Sequence, residues 1–423
     1  MNDSHRKTIA VIGAGISGLG IASLLHPHHD IVVYEKNPYI GGHSRTIDVM
    51  TKDGAIPVDT GFIVFNERNY PLLTRLFAHL QVPIQASNMS FGASIDAGRL
   101  EYATHSLSGL FAQKANLIQP AFWRMLIDIV RFNAQARRYL TEDPAFTLGS
   151  GLEALKLGPW SRDYFLLAMC GAIWSTPLQS MLQFPASTFI RFFDNHGLLT
   201  INDQPQWYTV RGGSRAYVQR LTAPFRPHIH CNRALRKVWR TEGQAVVEDI
   251  HGQQARYDAV VFACHADQAL KLMADADSDE RNLLSAFRYQ SNRIILHRDT
   301  SFMPRRRQAW ASWVYRAEAL GGQPPILSLS YWMNNLQPLA TQEPIFVTLN
   351  PGHVPNPGLV DDAYVFEHPI FDTAAIRSQS MMETIQGRNR FWFCGAHLRY
   401  GFHEDGLGSA VHVAKHMGIE PPW

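Results

Sequence analysis

Residues 8–46 read TIAVIGAGISGLGIASLLHPHHDIVVYEKNPYIGGHSRT, the most informative segment of the chain. An apolar run at 9–12 leads into Gly13-x-Gly15-x-x-Gly18, a helix-forming segment and a second apolar run that ends at Glu35. Strand, glycine turn, helix, strand and acid in this order are typical of a βαβ unit that binds a dinucleotide. The helix N-terminus would face the pyrophosphate, and Glu35 would accept hydrogen bonds from a ribose. We therefore predict a dinucleotide site at this turn.

Length and composition limit the class of protein. A chain of 423 residues, 46% of them hydrophobic, is long enough for two or three domains with large cores. The formal net charge of +3 is small for this length and argues against a nucleic-acid binder that works by neutralising phosphates. We therefore expect a globular protein whose partner is a small molecule or a lipid.

The cysteines and apolar runs indicate the compartment. Cys170, Cys231, Cys264 and Cys394 lie far apart without a CxxC pair, so we predict neither a disulfide framework nor a metal site. The apolar run at 9–25 is interrupted by glycines and is already explained as strand, turn and helix. No other segment reaches the roughly 20 apolar residues of a spanning helix. These features favour a cytoplasmic protein that contacts a membrane at most peripherally, at its inner face.

Cofactor-like segments recur along the chain, separated by segments of other composition. Residues 87–200 contain helix-like stretches, and the clearest, 122–140, carries an apolar pattern near i, i+3, i+4, i+7. Its apolar members are Phe122, Met125, Leu126, Ile129, Val130 and Phe132. Strand-like alternation returns at 236–249 and a buried strand at 257–264, whereas 287–386 is rich in Trp and Tyr with short β-like runs. The last 35 residues predict a strand at 391–394, a glycine-rich turn and a helix at about 408–416, so an interrupted domain is the natural inference.

Five stretches carry a family resemblance: VIGAGISGL, YEKNPYIGGHSRT, WYTVRGGSRAYVQRL, YDAVVFACHADQAL and FCGAHLRYGFHEDGLGSA. In sequence and order they resemble the FAD-dependent amine oxidase and phytoene desaturase superfamily. The resemblance is narrowed by five further motifs, DTGFIVFNERNYP, IWSTP, RFFDNHGLL, YWMNNLQ and HPIFD. They are similar to bacterial NAD/FAD-binding oxidoreductases that resemble the N-terminal flavoprotein half of plant cyclopropane fatty-acid synthases.

This resemblance covers nearly the whole chain and implies its fold. The class is α/β (α+β overall), with an interrupted Rossmann-type FAD-binding domain and an inserted substrate domain of mixed sheet plus helices. The FAD-binding domain would comprise residues 1–86, 201–286 and 387–423. The substrate domain, with its helical subdomain, would comprise residues 87–200 and 287–386.

The resemblance also implies FAD as the cofactor and a set of residues that contact it. The glycine turn would meet the pyrophosphate, Glu35 the adenosine ribose, and Val238 the adenine. Gly42 and Arg45 would lie near the phosphates and the ribityl chain. The remaining contacts would come from Gly395, Asp405 and Gly406, at the pyrophosphate and the flavin edge. His43 stands where many relatives have Arg, and a phosphate contact and a surface position both remain open for it.

The implied activity is that of an FAD-dependent oxidoreductase, an oxidase or desaturase, that removes a hydride from an apolar substrate such as a fatty-acyl chain or a modified lipid. Candidate catalytic residues are Trp174, Ser175, His196, Tyr400 and His403. His196 or His403 could act as a base because imidazole titrates near neutral pH, and a structural role remains open for each. The alternatives are an amine oxidase, although no lysine occupies a matching position, and a redox-neutral flavoprotein that is mutase-like or a scaffold for a lipid methyltransferase.

Two further observations concern electrons and partners. No second βαβ fingerprint for NAD(P)H is present, so we expect the flavin to be reduced by its substrate. The predicted helix at 122–140 carries basic residues beside its apolar pattern, so it could rest on an anionic membrane, and residues 305–307 could contribute. These basic residues and their tryptophan neighbour are Trp123, Arg124, Arg131, Arg137 and Arg138. A domain-covering helix with a solvated basic edge is the alternative.

Overall fold

The structure is a computed structural model that describes residues 6–143, 145–169, 181–195, 198–199, 204–318 and 326–423. The candidate residues Trp174, Ser175 and His196 lie outside the described residues. Every statement below concerns the described part of the chain.

The strands fall into five sheets. In chain order they are β1 (Thr8–Ile12), β2 (Asp30–Tyr34), β3 (Thr46–Thr51), β4 (Gly54–Asp59), β5 (Val64–Asn66), β6 (Ile84–Ser87), β7 (Phe91–Ile95), β8 (Leu100–Ala103), β9 (Trp207–Val210), β10 (Ile229–His230), β11 (Leu235–Arg240), β12 (Ala245–Asp249), β13 (Gln254–Tyr257), β14 (Ala259–Phe262), β15 (Arg288–His297), β16 (Trp313–Glu318), β17 (Ile326–Trp332), β18 (Phe346–Leu349), β19 (Val360–Ile370) and β20 (Phe391–Phe393).

The α-helices lie between and around these strands. They are α1 (Ile16–Leu25), α2 (Pro71–His79), α3 (Leu107–Leu110), α4 (Pro120–Gln135), α5 (Leu148–Ala154), α6 (Pro159–Ser161), α7 (Ala186–Asn195), α8 (Arg215–Thr222), α9 (Ala266–Leu272), α10 (Ser278–Ser285), α11 (Met333–Leu336), α12 (Thr373–Met381) and α13 (His403–His416). A π-helical turn, Arg162–Leu166, follows α6. Short 3₁₀ turns include Lys114–Ile118, Ala136–Tyr139, Met382–Thr384 and Ala396–Leu398.

A parallel sheet of order β10-β2-β1-β14-β20 forms the dinucleotide-binding half of the molecule. Its strands are apolar because both faces are covered. Helices α1 and α13 pack on one face, and the β11–β13 ribbon with α9 and α12 covers the other. The strands come from residues 8–34, 229–262 and 391–393, which are far apart in the sequence.

A seven-stranded mixed sheet of order β19-β15-β18-β17-β16-β7-β8 forms the other half. It is antiparallel except at the β16–β7 pair. Helices α4, α5 and α7 pack on its β7–β16 region, and the β3–β4 ribbon packs near β15, β17 and β18. The predicted class, a Rossmann-type parallel sheet combined with a mixed sheet and helices, is confirmed. The proposed domain boundaries remain a prediction.

The helix predicted at 122–140 is α4, which ends at Gln135 and continues as a 3₁₀ turn. Phe122, Met125 and Phe132 are buried, with exposed fractions of at most 1%. Val130, one of the apolar residues of the predicted pattern, is 54% exposed. The approximate pattern was broad enough to include a residue on the opposite side of the helix. Of the described helices, none is both long and apolar enough to cross a bilayer.

Candidate cofactor and active site

The glycine turn after β1 contains one open position between two crowded ones. Gly13 has φ +105° and donates its N–H to the Tyr34 carbonyl at 2.8 Å. A Cβ on Gly18 would lie 1.8 Å from the Gly13 carbonyl oxygen, so only glycine lets α1 approach the turn. A Cβ on Gly15 would meet nothing within 4 Å. The space beside Gly15, at the N-terminus of α1, can therefore receive a phosphate group.

Glu35 follows β2 and is bound to the glycine turn. One carboxylate oxygen accepts the Ala14 N–H at 2.9 Å and the other accepts the Asn37 N–H at 2.8 Å. Only 6% of the residue is exposed. Each carboxylate oxygen has a further lone pair, so a ribose hydroxyl can still bind there.

The second glycine segment closes over the first. The Gly41 N–H donates to the Ala14 carbonyl at 2.7 Å, and Gly42, with φ +58°, approaches Gly15 so closely that a Cβ would lie 3.0 Å from its Cα. Arg45, predicted near the phosphates and the ribityl chain, forms a bidentate pair with Asp362 of β19, at 2.6 and 3.1 Å. The structure thus brings Gly42 to the turn and engages Arg45 with the seven-stranded sheet.

The C-terminal glycine segment reaches the same edge of the parallel sheet. Gly395 follows β20 and donates its N–H to Ser409 Oγ at 2.9 Å. A Cβ on Gly406 would lie 2.8 Å from Ile16 Cγ2, so α13 packs closely on the start of α1. Asp405 accepts the Phe402 N–H at 2.9 Å, and burial raises the pKa of its carboxyl to about 6. Gly395, Asp405 and Gly406 therefore lie together near the dinucleotide turn.

The predicted contact of Val238 with the adenine is wrong, because the structure does not bring Val238 to this site. It lies in β11, fully buried, with one backbone edge paired to Val247 and the other to Met273. Strand β10 lies beside Glu35 instead: the Glu35 N–H donates to the His230 carbonyl at 2.9 Å. Strand β10 has only two residues, so its sequence shows no periodic pattern. The adenine contact was therefore predicted in β11, where apolar and polar residues alternate over a longer segment.

His403 is the first residue of α13 and is held by protein partners. Its Nε2 lies 2.8 Å from the Tyr217 hydroxyl and 3.0 Å from Ser44 Oγ. Its ring stacks on Phe62 at a centroid distance of 3.8 Å. Burial lowers the pKa of His403 to about 3, so the imidazole is neutral. Tyr400 lies three residues earlier, half-buried, with its backbone N–H at the Asp405 carboxylate.

Four further histidines surround the same region, and only His43 among them was a candidate for a cofactor contact. His43 stacks on Phe366 at 4.3 Å, and its ring centroid lies 5.2 Å from that of His368. Burial lowers the pKa values of His43, His265, His368 and His397, and neighbouring imidazoles lower those of His43, His368 and His397 further. His43 Nε2 and His397 Nε2 are buried and have no hydrogen-bond partner among the described residues. His265 and His397 follow parallel strands β14 and β20, a position at which ligands commonly bind and which could have revealed them.

Asp59 connects the three segments that approach the site. Its carboxylate accepts the Ser214 N–H at 2.9 Å and the Thr46 hydroxyl at 2.6 Å, and it also accepts from Gln337 Nε2 at 3.0 Å. Burial raises the pKa of Asp59 to about 6 in spite of these donors. The motif Arg211-Gly212-Gly213 is thereby fixed beside the β3–β4 ribbon, since Ser214 follows it directly. Sequence reasoning missed Asp59 because its partners are distant along the chain.

Comparison with known proteins agrees with this geometry. Residues 11–80 match the family model described as an NAD(P)-binding Rossmann-like domain. No curated protein matches the sequence. The glycine turn therefore belongs to a Rossmann-type dinucleotide-binding unit.

Solved structures match over nearly the whole chain. A CLA-producing fatty acid isomerase from P. acnes has a TM-score of 0.68 at 13% identity, covering 99% of both chains. Cyclohexylamine oxidase from Brevibacterium oxydans IH-35A has a TM-score of 0.69 at 15% identity, covering 98% of this chain and 100% of that chain. Wild-type putrescine oxidase bound to putrescine has a TM-score of 0.68 at 12% identity, covering 98% of this chain and 99% of that chain. At these identities the likeness shows the fold, and the fold predicted from the family resemblance is confirmed.

Proposed function

We propose that this protein is an FAD-dependent oxidoreductase. The observation that carries the proposal is the space beside Gly15, which the start of α1, the second glycine segment and Glu35 adjoin. The unpartnered Nε2 atoms of His43 and His397 add buried hydrogen-bonding groups of the kind that phosphate, ribityl and flavin oxygens require. The residues present therefore fit a diphosphate-bearing flavin cofactor.

In this proposal the chain binds and orients the cofactor. FAD, when bound, supplies a two-electron acceptor. The N-terminus of α1 stabilises the pyrophosphate, and Glu35 binds the ribose next to β10. His403, neutral and bonded to Tyr217 and Ser44, positions the start of α13 and does not take up a proton near pH 7.

Gly15→Ala tests the cofactor site. Gly15 has φ −80° and an added Cβ meets no protein atom within 4 Å, so the variant should fold normally. The same Cβ occupies the space proposed for the pyrophosphate. We expect FAD affinity, measured by fluorescence titration of the apoprotein, to fall by about tenfold or more, a change of about 1.4 kcal/mol.

The control for this experiment is Gly358→Ala, at an exposed glycine where an added Cβ would be 3.5 Å from the nearest atom. It should bind FAD like the wild-type protein. Equal FAD affinity in Gly15→Ala and wild type would contradict the proposed cofactor position.

We propose that the substrate is an apolar chain, such as a fatty-acyl group, and not an amine. All lysines of the chain are described and all are exposed, so none supplies the buried lysine on which amine oxidases often rely. They are Lys7, Lys36, Lys52, Lys114, Lys156, Lys237, Lys271 and Lys415. The buried carboxylates Glu35, Asp59 and Asp405 already accept backbone N–H groups. A protonated amine would need a buried counter-charge, so these observations favour an uncharged substrate.

Anaerobic reduction distinguishes the substrates. Flavin absorbance at about 450 nm is followed after addition of one of three kinds of compound. These are an acyl compound (oleic acid or a phosphatidylcholine), an amine (putrescine or cyclohexylamine) and NADPH. We expect bleaching with the acyl compounds alone. Bleaching with an amine would favour amine oxidation, and rapid bleaching with NADPH would overturn the expectation that substrate reduces the flavin. A flavin that no compound reduces would favour the redox-neutral alternatives.

We also propose that α4 contacts an anionic membrane surface. Leu117, Ile118, Trp123, Ile127 and Val130 form an exposed set that we call the apolar stripe, with exposed fractions of 50%, 85%, 44%, 56% and 54%. In α4 the positions i, i+4 and i+7 place Trp123, Ile127 and Val130 on one face. A tryptophan on such a face is typical of membrane interfaces.

The opposite face of α4 is already occupied, so the apolar stripe is additional. Phe122, Met125 and Phe132 pack in the core. Arg124 and Arg131 flank the stripe with side chains 54% and 36% exposed, next to the buried Asp128. Their stems and charges suit an acyl–headgroup boundary with anionic lipid.

Co-sedimentation with vesicles of equal parts phosphatidylcholine and phosphatidylglycerol tests this surface. Ile118→Asn combined with Ile127→Asn should reduce the bound fraction by roughly tenfold, because two apolar side chains that the lipid would bury are lost. Val354→Asn, at a residue that is 65% exposed outside the stripe, is the matched control and should bind normally. Equal binding of the double variant and the wild-type protein would refute the membrane contact. A lipid methyltransferase that binds the stripe in place of vesicles would also refute it.

A further inference from the structure

Two histidines and a glutamate converge on the surface at the far end of α13 from the cofactor segment. His412 Nε2 lies 2.8 Å from Glu383 Oε2, and His416 Nε2 lies 2.7 Å from Glu383 Oε1. The histidines are one helical turn apart, and the three potential ligand atoms lie within 4.8 Å of one another. Glu383 lies in the 3₁₀ turn after α12, so the cluster joins two separate elements.

The hydrogen bonding of His416 directs a ring nitrogen towards Glu383. His416 Nδ1 lies 3.0 Å from the His412 carbonyl oxygen, which can only accept, so Nδ1 carries a proton. In the neutral imidazole Nε2 then presents a lone pair to a carboxylate oxygen 2.7 Å away. Two acceptors at this distance are compatible only with a shared proton or a metal ion. An imidazole whose other nitrogen donates to a backbone carbonyl is also the arrangement that orients metal-bound histidine.

We propose that His412, His416 and Glu383 bind a divalent transition-metal ion of the zinc class. Imidazole nitrogen and carboxylate oxygen are ligands for Zn²⁺, with bond lengths of about 2.0–2.2 Å. Ligand atoms around a tetrahedral ion lie about 3.3 Å apart, a separation that small rotations of these exposed side chains provide. With three protein ligands, the fourth position is left for water. The ion would tie the C-terminal half of α13 to the segment after α12, independently of the flavin.

Zinc binding to the full-length, tag-free protein, stripped with a chelator and dialysed, tests the site. Isothermal titration with Zn²⁺ should show one site more in the wild-type protein than in His412→Ala or Glu383→Gln. The unfolding temperature should rise with Zn²⁺ in the wild-type protein and change less in these variants. Mg²⁺, which prefers oxygen ligands, should have no such effect.

His251→Ala is the matched control, since His251 is exposed in a turn and lies outside the cluster. It should keep the full zinc stoichiometry. The three ligands are exposed at the surface, with side-chain exposures of 39–55%, so each variant should fold and the comparison stays valid. Equal stoichiometry in the wild-type protein, His412→Ala and His416→Ala would overturn the proposal and leave a proton as the shared cation.

Discussion

The two large sheets of the molecule are stabilised by different means. On the parallel sheet, the covering helices pack closely through glycines that have no room for a Cβ. Gly18 of α1 packs against the Gly13 backbone, and Gly406 of α13 packs against the start of α1. The seven-stranded sheet encloses polar side chains instead. His297, Ser330 and Thr348 are fully buried on β15, β17 and β18, and the Thr348 hydroxyl lies 2.8 Å from both His297 Nε2 and Ser330 Oγ. The packing on the parallel sheet depends on glycines, which have no side chain. The polar contacts within the seven-stranded sheet depend on partners that are distant in the sequence.

The largest expected effect comes from closing the contact at Gly18. In Gly18→Ala the new Cβ would lie 1.8 Å from the Gly13 carbonyl oxygen and 3.2 Å from Ala263 Cβ, so strand, turn and helix must separate. We expect the free energy of unfolding, measured with urea on the apoprotein, to fall by about 4 kcal/mol or more. Gly15→Ala, three residues away and sterically free, should change it by less than about 1 kcal/mol. Similar losses in both variants would break the distinction between crowded and open glycines.

The second prediction concerns the pH dependence of stability, because the molecule contains buried neutral histidines. Burial lowers the pKa of His403 and His397 to about 3 and that of His368 and His297 to about 4, from 6.5. Between these values the unfolded chain binds more protons, so stability is lost as pH falls below about 6.5. Asp59 and Asp405, with pKa values raised to about 6, act in the opposite direction and offset part of the loss.

His403→Gln isolates one of these groups. Its amide can still bond to Tyr217 and Ser44, but it cannot bind a proton. Between about pH 6 and pH 4 the fall in stability should be shallower by about 1.4 kcal/mol per pH unit, or roughly 3 kcal/mol over the interval. Chemical denaturation at several pH values measures this slope, with His251→Gln as the surface control. An unchanged slope would show that His403 is protonated in the folded protein.

A smaller effect is expected at Glu101 in the seven-stranded sheet. This fully buried carboxylate accepts the Arg305 N–H and Arg306 Nη1, both at 2.8 Å. Glu101→Gln keeps the shape but loses the charge, and Arg306 remains partly solvated, so we expect a loss of about 2 kcal/mol in urea unfolding. Lys271→Ala, which removes an exposed pair with Asp267, should cost less than about 0.5 kcal/mol. If both variants lost equally little, buried polar groups would not stabilise this sheet.

The same contrast explains how much the sequence could predict. Gly13, Gly15, Gly18 and Glu35 fall within one local pattern, so the βαβ unit and the place of its phosphate site were predictable. Val238 was misassigned because the real neighbour of Glu35, strand β10, is too short to show a period.

The rest of the site depends on long-range pairs. Asp59 meets Ser214 and Gln337, which lie 155 and 278 residues away, and no local pattern encodes such partners. The histidines were individually visible, but their convergence follows from the sheet order and from the packing of β19 near the glycine segments. Trp174, Ser175 and His196 remain predictions because they lie outside the described residues.

The smallest expected effect is at Ile127, on the face of α4 that carries the apolar stripe. Ile127 lies on the apolar stripe and is 56% exposed, so Ile127→Ser removes almost no packing and should change the free energy of unfolding by less than about 0.5 kcal/mol. Met125 is fully buried on the opposite face, and Met125→Ala should cost about 2–4 kcal/mol. Thermal unfolding without lipid measures both. A large loss in Ile127→Ser would mean that the stripe is covered by protein, and a membrane would then have no apolar surface to bind.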